Sequence, residues 1–172
     1  MIDVDIGKCT GCRRCETACS FVKKGRINRH FSRIRVLNLY EMGVDGPVRC
    51  VQCQERFCTK CPNHAISIGP LGQVIVSMTL CHLCGACEVN CPIGAIELFE
   101  DIVYTCDLCD GKPRCVEACT EGALSWNPEK TEGPSLEGEK TATKKMNPSQ
   151  KRQRYLKEQG EELRKRWRKA HA

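Results

Sequence analysis

The chain has 172 residues, enough for one ordinary domain, and its 27 Lys and Arg exceed its 21 Asp and Glu to give a formal charge of +6. Its 41% hydrophobic content includes 16 cysteines, so only about a third of the residues are truly apolar, which is little material for a core. No apolar run approaches the roughly 20 residues of a membrane-spanning helix, and the N-terminus carries no secretory signal. These properties exclude an integral membrane protein. They predict a cytoplasmic protein whose fold is stabilised by its cysteines.

The cysteines fall into four groups of four. In chain order they are Cys9, Cys12, Cys15 and Cys19; Cys50, Cys53, Cys58 and Cys61; Cys81, Cys84, Cys87 and Cys91; and Cys106, Cys109, Cys115 and Cys119. The first and third groups have the spacing C-x2-C-x2-C-x3-C, which is typical of bacterial proteins that bind [4Fe–4S] clusters. The other two groups are variants with a longer loop before the third cysteine. The sequence therefore predicts four [4Fe–4S] clusters.

Two other uses of cysteine compete with this interpretation. A disulfide framework is typical of exported proteins, and no export signal is present. Zinc ribbons pair two C-x2-C knuckles across a long spacer, whereas three cysteines at x2-x2 spacing are not a zinc pattern. Zinc at a single degenerate site stays open as an alternative.

A short apolar repeat follows three of the cysteine groups. Ala65, Ala95 and Ala123 each lie four residues after the last cysteine of a group, and a short apolar run follows each alanine. Between the second and third groups, residues 69–72 predict a turn and residues 73–77 a strand. Each unit therefore indicates a cysteine loop, a short helical turn, a strand, a turn and a strand.

Two such units make a ferredoxin fold, so four predict an α+β protein of two tandem, nested bacterial-ferredoxin-like modules over residues 1–127. The second and third groups are adjacent and both end in Cys-Pro, so we expect them to form the inner module. The first and fourth groups then form the outer one. In ferredoxins the last cysteine of each group binds the cluster of the partner group. The four predicted sites are Cys9, Cys12, Cys15 with Cys119; Cys106, Cys109, Cys115 with Cys19; Cys50, Cys53, Cys58 with Cys91; and Cys81, Cys84, Cys87 with Cys61.

The remaining residues divide into a linker and a basic helix. Residues 128–146 are rich in charged residues, Pro and Gly, which predicts an extended linker. Residues 147–172 begin with Asn147-Pro148-Ser149-Gln150, the pattern of a helix start with a capping box. A narrow apolar seam follows at Leu156, Gly160, Leu163, Trp167 and Ala170. Because a narrow seam stabilises an isolated helix only weakly, we expect this basic amphipathic helix to dock on a partner protein or on a second copy of the chain.

Four segments carry a family resemblance. They are C-T-G-C-R-R-C-E-T-A-C-S-F at 9–21, S-R-I-R-V at 32–36, C-V-Q-C-Q at 50–54 and C-D-L-C-D-G-K-P-R-C at 106–115. These motifs are similar to the four-cluster ferredoxin-like electron-transfer subunits of anaerobic oxidoreductases. That family serves molybdenum and tungsten pterin enzymes, some hydrogenases and carbon monoxide dehydrogenase. The small size and basic tail most resemble the small subunit of tungsten aldehyde oxidoreductase, followed by that of tungsten-dependent benzoyl-CoA reductase.

One spacing departs from the family pattern. Only Thr59 and Lys60 stand between Cys58 and Cys61, where the family has three residues. This difference leaves open a three-iron or labile cluster at the site that includes Cys61.

The resemblance implies an electron-transfer subunit rather than an enzyme, and the sequence has neither a P-loop nor a G-x-G-x-x-G motif. The implied partner is a large tungsten or molybdenum pterin catalytic subunit, with a flavin subunit or a ferredoxin as the further carrier. A free polyferredoxin, or a subunit of a hydrogenase or carbon monoxide dehydrogenase, is the first alternative. A redox sensor with a tail that binds nucleic acid or a membrane is the second, but few aromatic residues lie among the basic ones. We expect neither nucleic-acid binding nor a membrane span.

Overall fold

The computed structural model describes residues 1–171, in which short strands and helices alternate with the cysteine loops. The strands are β1 (Ile2–Val4), β2 (Ile34–Leu39), β3 (Val44–Arg49), β4 (Ile66–Ile68), β5 (Val74–Val76), β6 (Glu97–Phe99), β7 (Ile102–Tyr104) and β8 (Leu124–Trp126). The helices are α1 (Arg14–Lys24), α2 (Ala86–Asn90), α3 (Arg114–Glu117), α4 (Glu137–Thr143) and α5 (Pro148–Ala170), and single 3₁₀ turns lie between them. No helix in the described part of the chain is both long and apolar enough to span a bilayer.

The strands pair as four two-stranded antiparallel sheets: β1 with β8, β2 with β3, β4 with β5, and β6 with β7. The β4–β5 hairpin follows the predicted turn at residues 69–72. In contrast, β1 pairs with a strand about 120 residues away, so that Ile2 lies opposite Trp126. Small antiparallel sheets and short helices make this an α+β fold, consistent with the ferredoxin-like class.

Two apolar cores are built partly from cysteine side chains. One core combines the beginning of the chain with residues 106–124, and it includes Ile2, Ile34 and Leu108, all at most 1% exposed. The other core includes Phe57 and Ile96 together with apolar residues of β3 and β7. Cysteine contributes to both cores, which agrees with the low apolar content of the sequence.

The C-terminal segment differs from the prediction in two respects. Residues 128–146, predicted to be an extended linker, contain α4, and Leu136 just before this helix is buried in the second core. The first half of α5 packs on the chain itself: Leu156 is 1% exposed and lies against Gly46. A Cβ at position 46 would overlap the Leu156 side chain, so the absence of a side chain at Gly46 makes room for the helix. Only the second half of the seam is exposed, with Trp167 at 62%.

Backbone contacts attach the same segment to the second cysteine group. The amide of Gly133 donates to the carbonyl of Gln52 at 2.8 Å, and the amide of Gln54 donates to the carbonyl of Pro134 at 3.3 Å. A Cβ at Gly133 would overlap the carbonyl oxygen of Val51. We call residues 131–160 the C-terminal strap, because they cross this face of the molecule and contact it at several points.

Helix α5 begins as the sequence predicts. The Asn147 side chain accepts a hydrogen bond from the Gln150 amide at 2.9 Å, and the Gln150 side chain accepts one from the Asn147 amide at 3.0 Å. Pro148 occupies the first turn, where no amide donor is needed. The predicted capping box is confirmed.

Candidate metal centres

Four small cavities are each lined by four cysteines. The sets are Cys9, Cys12, Cys15 and Cys119; Cys19, Cys106, Cys109 and Cys115; Cys50, Cys53, Cys58 and Cys91; and Cys61, Cys81, Cys84 and Cys87. Each cavity has an empty volume of about 310 to 340 Å³, part of which is open to solvent. The members of each set are those of one predicted cluster site, with three thiols from one group and the fourth from its partner group. That these thiols bind iron stays a prediction at this point.

Short helices distribute the thiols between cavities. Cys15 and Cys19 are both buried on α1, one turn apart, and they line different cavities. Cys87 lies on α2 and Cys91 caps its end, and these two residues also line different cavities. Because residues four apart in a helix are neighbours on one face, a single short helix supplies a thiol to each of two adjacent sites.

The cysteine loops contain an unusual number of left-handed residues. Those next to the cysteines include Gly11, Arg13, Gln52, Arg56, Leu83, Gly85, Leu108 and Cys109. Such turns point successive amide groups in one direction and form concave sites for negatively charged groups. Amide donors reach two of the sulfurs: Arg33 N–H donates to Cys19 Sγ at 3.3 Å, and Ala95 N–H donates to Cys91 Sγ at 3.2 Å. These bonds favour negatively charged sulfur at both positions.

Burial raises the pKa of the deeply placed thiols. It raises the pKa of Cys15 and Cys58 to about 12 and that of Cys87 to about 11. The pKa of Cys106 also rises to about 11, mainly through burial and despite the nearby positive charge of Arg49. Thiolates packed together in this way are unfavourable unless positively charged iron or another metal compensates them. The sites are therefore suited to metal-bound thiolate rather than to free cysteine.

The arrangement of the thiols is compatible with the proposed kind of cluster. Within residues 1–171, no group of three or more His, Cys, Asp or Glu side chains is placed to hold a metal ion. The four thiols of each set instead surround a shared cavity, and thiolates are the ligands of [4Fe–4S] clusters. The residues of all four cavities thus fit one [4Fe–4S] cluster each. Cys61 lies in its set despite the shortened spacing before it.

Arg49 is a residue near the sites that sequence reasoning missed. It is 3% exposed, ends β3 immediately before Cys50, and lines the cavity of Cys106. Its guanidinium donates to the carbonyl of Cys50, so one buried positive charge touches the segment between two cysteine sets. An arginine between apolar Val48 and a cysteine is the only sequence signal for this position.

A fifth cavity is larger than these four and is lined by no cysteine. Its empty volume is about 1030 Å³, part of which is open to solvent, and it lies among β1, β3, the segment after β8 and α5, with Tyr155 and Leu156 in its wall. The thiol sets therefore line the four smaller cavities.

Comparisons with known proteins give one family model and several relatives. The model described as a 4Fe-4S binding domain matches residues 74–97, which contain the third cysteine group. The chain is 43% identical over 118 residues to the polyferredoxin-like subunit of aliphatic sulfonate oxidoreductase from Pyrococcus furiosus, covering 66% of this chain and 68% of that protein. It is 38% identical over 130 residues to the beta subunit of NADH-dependent phenylglyoxylate dehydrogenase from Aromatoleum evansii, covering 72% of this chain and 29% of that protein.

A solved structure is also similar. It is the active site complex BamBC of benzoyl coenzyme A reductase in complex with zinc, with 25% sequence identity and a TM-score of 0.44. The match covers 85% of this chain and 90% of that chain.

Proposed function

We propose that this chain, which belongs to the ferredoxin-like 4Fe-4S electron-transfer subunits of oxidoreductases, relays single electrons through four clusters between a large catalytic subunit and a further carrier. It is an iron–sulfur electron-transfer subunit and not itself a catalytic subunit. When bound, a [4Fe–4S] cluster supplies reversible uptake of one electron at a potential that depends on nearby charge, hydrogen bonds and solvent exposure. The observation that carries the proposal is the set of four cavities with four cysteines each.

The sixteen cysteines are proposed as the ligands, and two nested modules as their framework. The pairing of β1 with β8 supports an outer module, because it joins the first and fourth cysteine groups. The β4–β5 and β6–β7 hairpins support an inner module around the second and third groups. The thiols supply negative charge and soft ligands, while the left-handed loops supply amide donors.

The contacts among the sets support a linear order of the four sites. Helix α1 connects the set of Cys15 to the set of Cys19. Cys50 packs against both apolar cores, which supports a position of its set between the outer and inner modules. Helix α2 supplies Cys87 to one inner set and its end supplies Cys91 to the other, which supports the two inner sets as neighbours. An electron entering at either end would then pass through all four sites.

The proposed catalytic partner is a large tungsten or molybdenum pterin subunit of the aldehyde oxidoreductase type, with a flavin subunit or a ferredoxin as the other carrier. The resemblance of the cysteine motifs supports the type of partner. The exposed end of α5 supports the place of docking. We define this basic tip as residues 165–170, which contain four cationic side chains around Trp167. Trp167 is 62% exposed and stacks on His171 with ring centroids 4.6 Å apart. An exposed aromatic ring among cations fits an acidic face of a partner protein.

Metal analysis of the anaerobically purified chain tests the proposal. We expect about 16 irons and about 16 acid-labile sulfides per chain, because four cubes each contain four of both. Zinc should stay well below one equivalent. About 12 irons would point to a missing or incomplete cluster, and Cys61 would be the first ligand to examine. Stoichiometric zinc would contradict the four-cluster assignment.

The partner is tested separately by affinity purification from the native source. The full chain should retain a large protein that contains tungsten or molybdenum. A variant with Lys165, Arg166, Arg168 and Lys169 replaced by Glu should lose that protein while keeping its full iron content. Retention of the partner by this variant, at both low and high salt, would contradict docking through the basic tip.

A further inference from the structure

Lys151 is a buried ammonium group that forms no salt bridge with a carboxylate of the described residues. It is 1% exposed, and its Nζ donates to the carbonyls of Glu88 at 3.1 Å and Val89 at 2.8 Å. Among the described residues, no carboxylate lies within ion-pair distance of it. The Glu88 carboxylate on α2 instead accepts a hydrogen bond from the Leu98 amide at 2.7 Å. Buried charges are normally paired, so this ammonium group lacks a directly bonded counter-charge.

The position of Lys151 indicates where that counter-charge lies. The two carbonyls belong to the end of α2, and this helix ends immediately before Cys91. Burial lowers the pKa of Lys151, whereas negative charge at Cys91 and, to a smaller extent, at Glu88 raises it. Cys91 is one of the four thiols in the cavity that also contains Leu136 of the C-terminal strap.

The neighbouring residues hold Lys151 in this place. Arg152 donates to the carbonyl of Gly94 at 2.8 Å and to the Glu97 carboxylate at 3.2 Å, so its charge is already paired within the chain. The backbone of Pro148 lies so close to Gly94 that a Cβ there would overlap the Pro148 carbonyl. The strap is therefore fixed on both sides of Lys151, against the loop that carries Cys91.

We propose that Lys151 is a positioning residue that supplies the counter-charge to the [4Fe–4S] cluster of Cys50, Cys53, Cys58 and Cys91, and that one-electron reduction of this cluster tightens the C-terminal strap. The inference rests on the proposed function, because it needs the cluster at this site. A [4Fe–4S] cluster with four thiolates carries a charge of about −2, and reduction adds one more negative charge. A fixed cation beside it stabilises the reduced form more than the oxidised form, so Lys151 raises the reduction potential.

The tightening of the strap follows from linkage. If Lys151 stabilises the reduced form through its contact with the cluster, then reduction must stabilise that contact by the same free energy. The strap carries Lys151, so its opening becomes less frequent in the reduced protein. The competing explanation is a purely structural one, in which Lys151 only caps the carbonyls at the end of α2. A structural cap holds both redox states equally and shifts no potential.

The first test compares Lys151→Gln with Lys157→Gln in the anaerobic holoprotein. Lys157 lies on the same helix but is exposed, so it is the matched control. Both variants are first checked for full iron content, and then each is titrated potentiometrically with EPR detection. We expect Lys151→Gln to shift one of the four potentials to a more negative value, and we expect Lys151→Arg to restore it. Lys157→Gln should leave all four potentials unchanged. Equal potentials for the wild type and Lys151→Gln would overturn the proposal.

The second test uses the wild-type protein, so it does not depend on whether a variant folds. Hydrogen exchange of the α5 amides in residues 148–160 is compared between the oxidised protein and the protein reduced with dithionite, which supplies the electrons. We expect slower exchange after reduction, and equal or faster exchange would overturn the tightening. The proposed function fails in a different way: if the chain holds no redox-active clusters, neither a potential nor a redox-dependent exchange rate is measured. If the clusters are active and only the Lys151 effects are absent, the inference alone fails.

Discussion

The substitution Leu156→Ala tests whether the C-terminal strap belongs to the folded body. Leu156 is 1% exposed, and it packs against Gly46 and within the second core. Truncating a buried leucine to alanine usually costs about 2 to 5 kcal/mol. At about 1.4 kcal/mol per factor of ten, this loss raises the equilibrium constant for local opening of α5 by about 30-fold to several thousand-fold. The overall helix propensity is unchanged or better, because alanine is the strongest helix former.

The assay is hydrogen exchange of residues 148–160 in the anaerobic holoprotein, because local exchange reports the strap without requiring reversible global unfolding. Trp167→Ala is the control on the same helix. Trp167 is 62% exposed, so its removal should change exchange of these amides by no more than about twofold. If Leu156→Ala exchanges at the rate of the wild type, α5 does not pack on the body as the structure shows. The argument about Lys151 then loses its basis as well.

Three further predictions concern single side chains. Cys119→Ser should abolish the EPR signal of the cluster at the first three cysteines, while the iron of the fourth group remains; loss at the fourth group instead would contradict the nested pairing. Burial raises the pKa of Glu97, but the guanidinium groups of Arg152 and Arg35 lower it more, so the pKa of this carboxyl lies below 4.5. The ionised Glu97 therefore stabilises the fold above pH 4.5, and this contribution is lost as the pH falls through the lowered pKa. Glu97→Gln, which imitates the protonated form, should therefore accelerate α5 exchange equally at pH 6 and pH 8, and a pH-dependent difference across this range would refute this assignment. Gly133→Ala should destabilise the strap by about 2 kcal/mol or more, because the new Cβ would overlap the Val51 carbonyl oxygen. Gly138→Ala is the control: its Cβ meets open space, so this variant should stabilise the chain by up to about 1 kcal/mol. Similar hydrogen exchange of the strap in both variants would contradict the backbone contact at Gly133.

Spacing and local patterns predicted the elements that lie close to the cysteines. The turn at residues 69–72 and the strand after it were predicted from glycine, proline and β-branched residues, and β4 and β5 confirm them. The helix start at Asn147 was predicted from its capping box. These features depend on neighbours within a few residues, which is the range over which sequence patterns act directly.

The contacts of the C-terminal strap were not predictable in the same way. Residues 128–146 are polar and contain two prolines and two glycines, which is also the composition of a linker. The attachment of the strap depends on close backbone contacts of Gly133 with Val51 and of Gly94 with Pro148. Such contacts involve no side chain, so the sequence pattern does not indicate them. Leu136 was an available signal, because it is a large apolar residue in a polar segment. Lys151 was missed for a related reason, since a lysine among nine cations in residues 151–172 gives no sign that it is buried.

The pairing of β1 with β8 makes the outer cysteine sets late products of synthesis. Every thiol of the inner sets has been translated once Cys91 is made, whereas the set that begins with Cys9 waits for Cys119. Roughly 28 further residues separate these two events, a delay of about 1 to 6 s at ordinary translation rates. A nascent chain that stops before Cys106 already contains every cysteine of both inner sets. It also contains Cys9, Cys12 and Cys15 of the first outer set, but not Cys119.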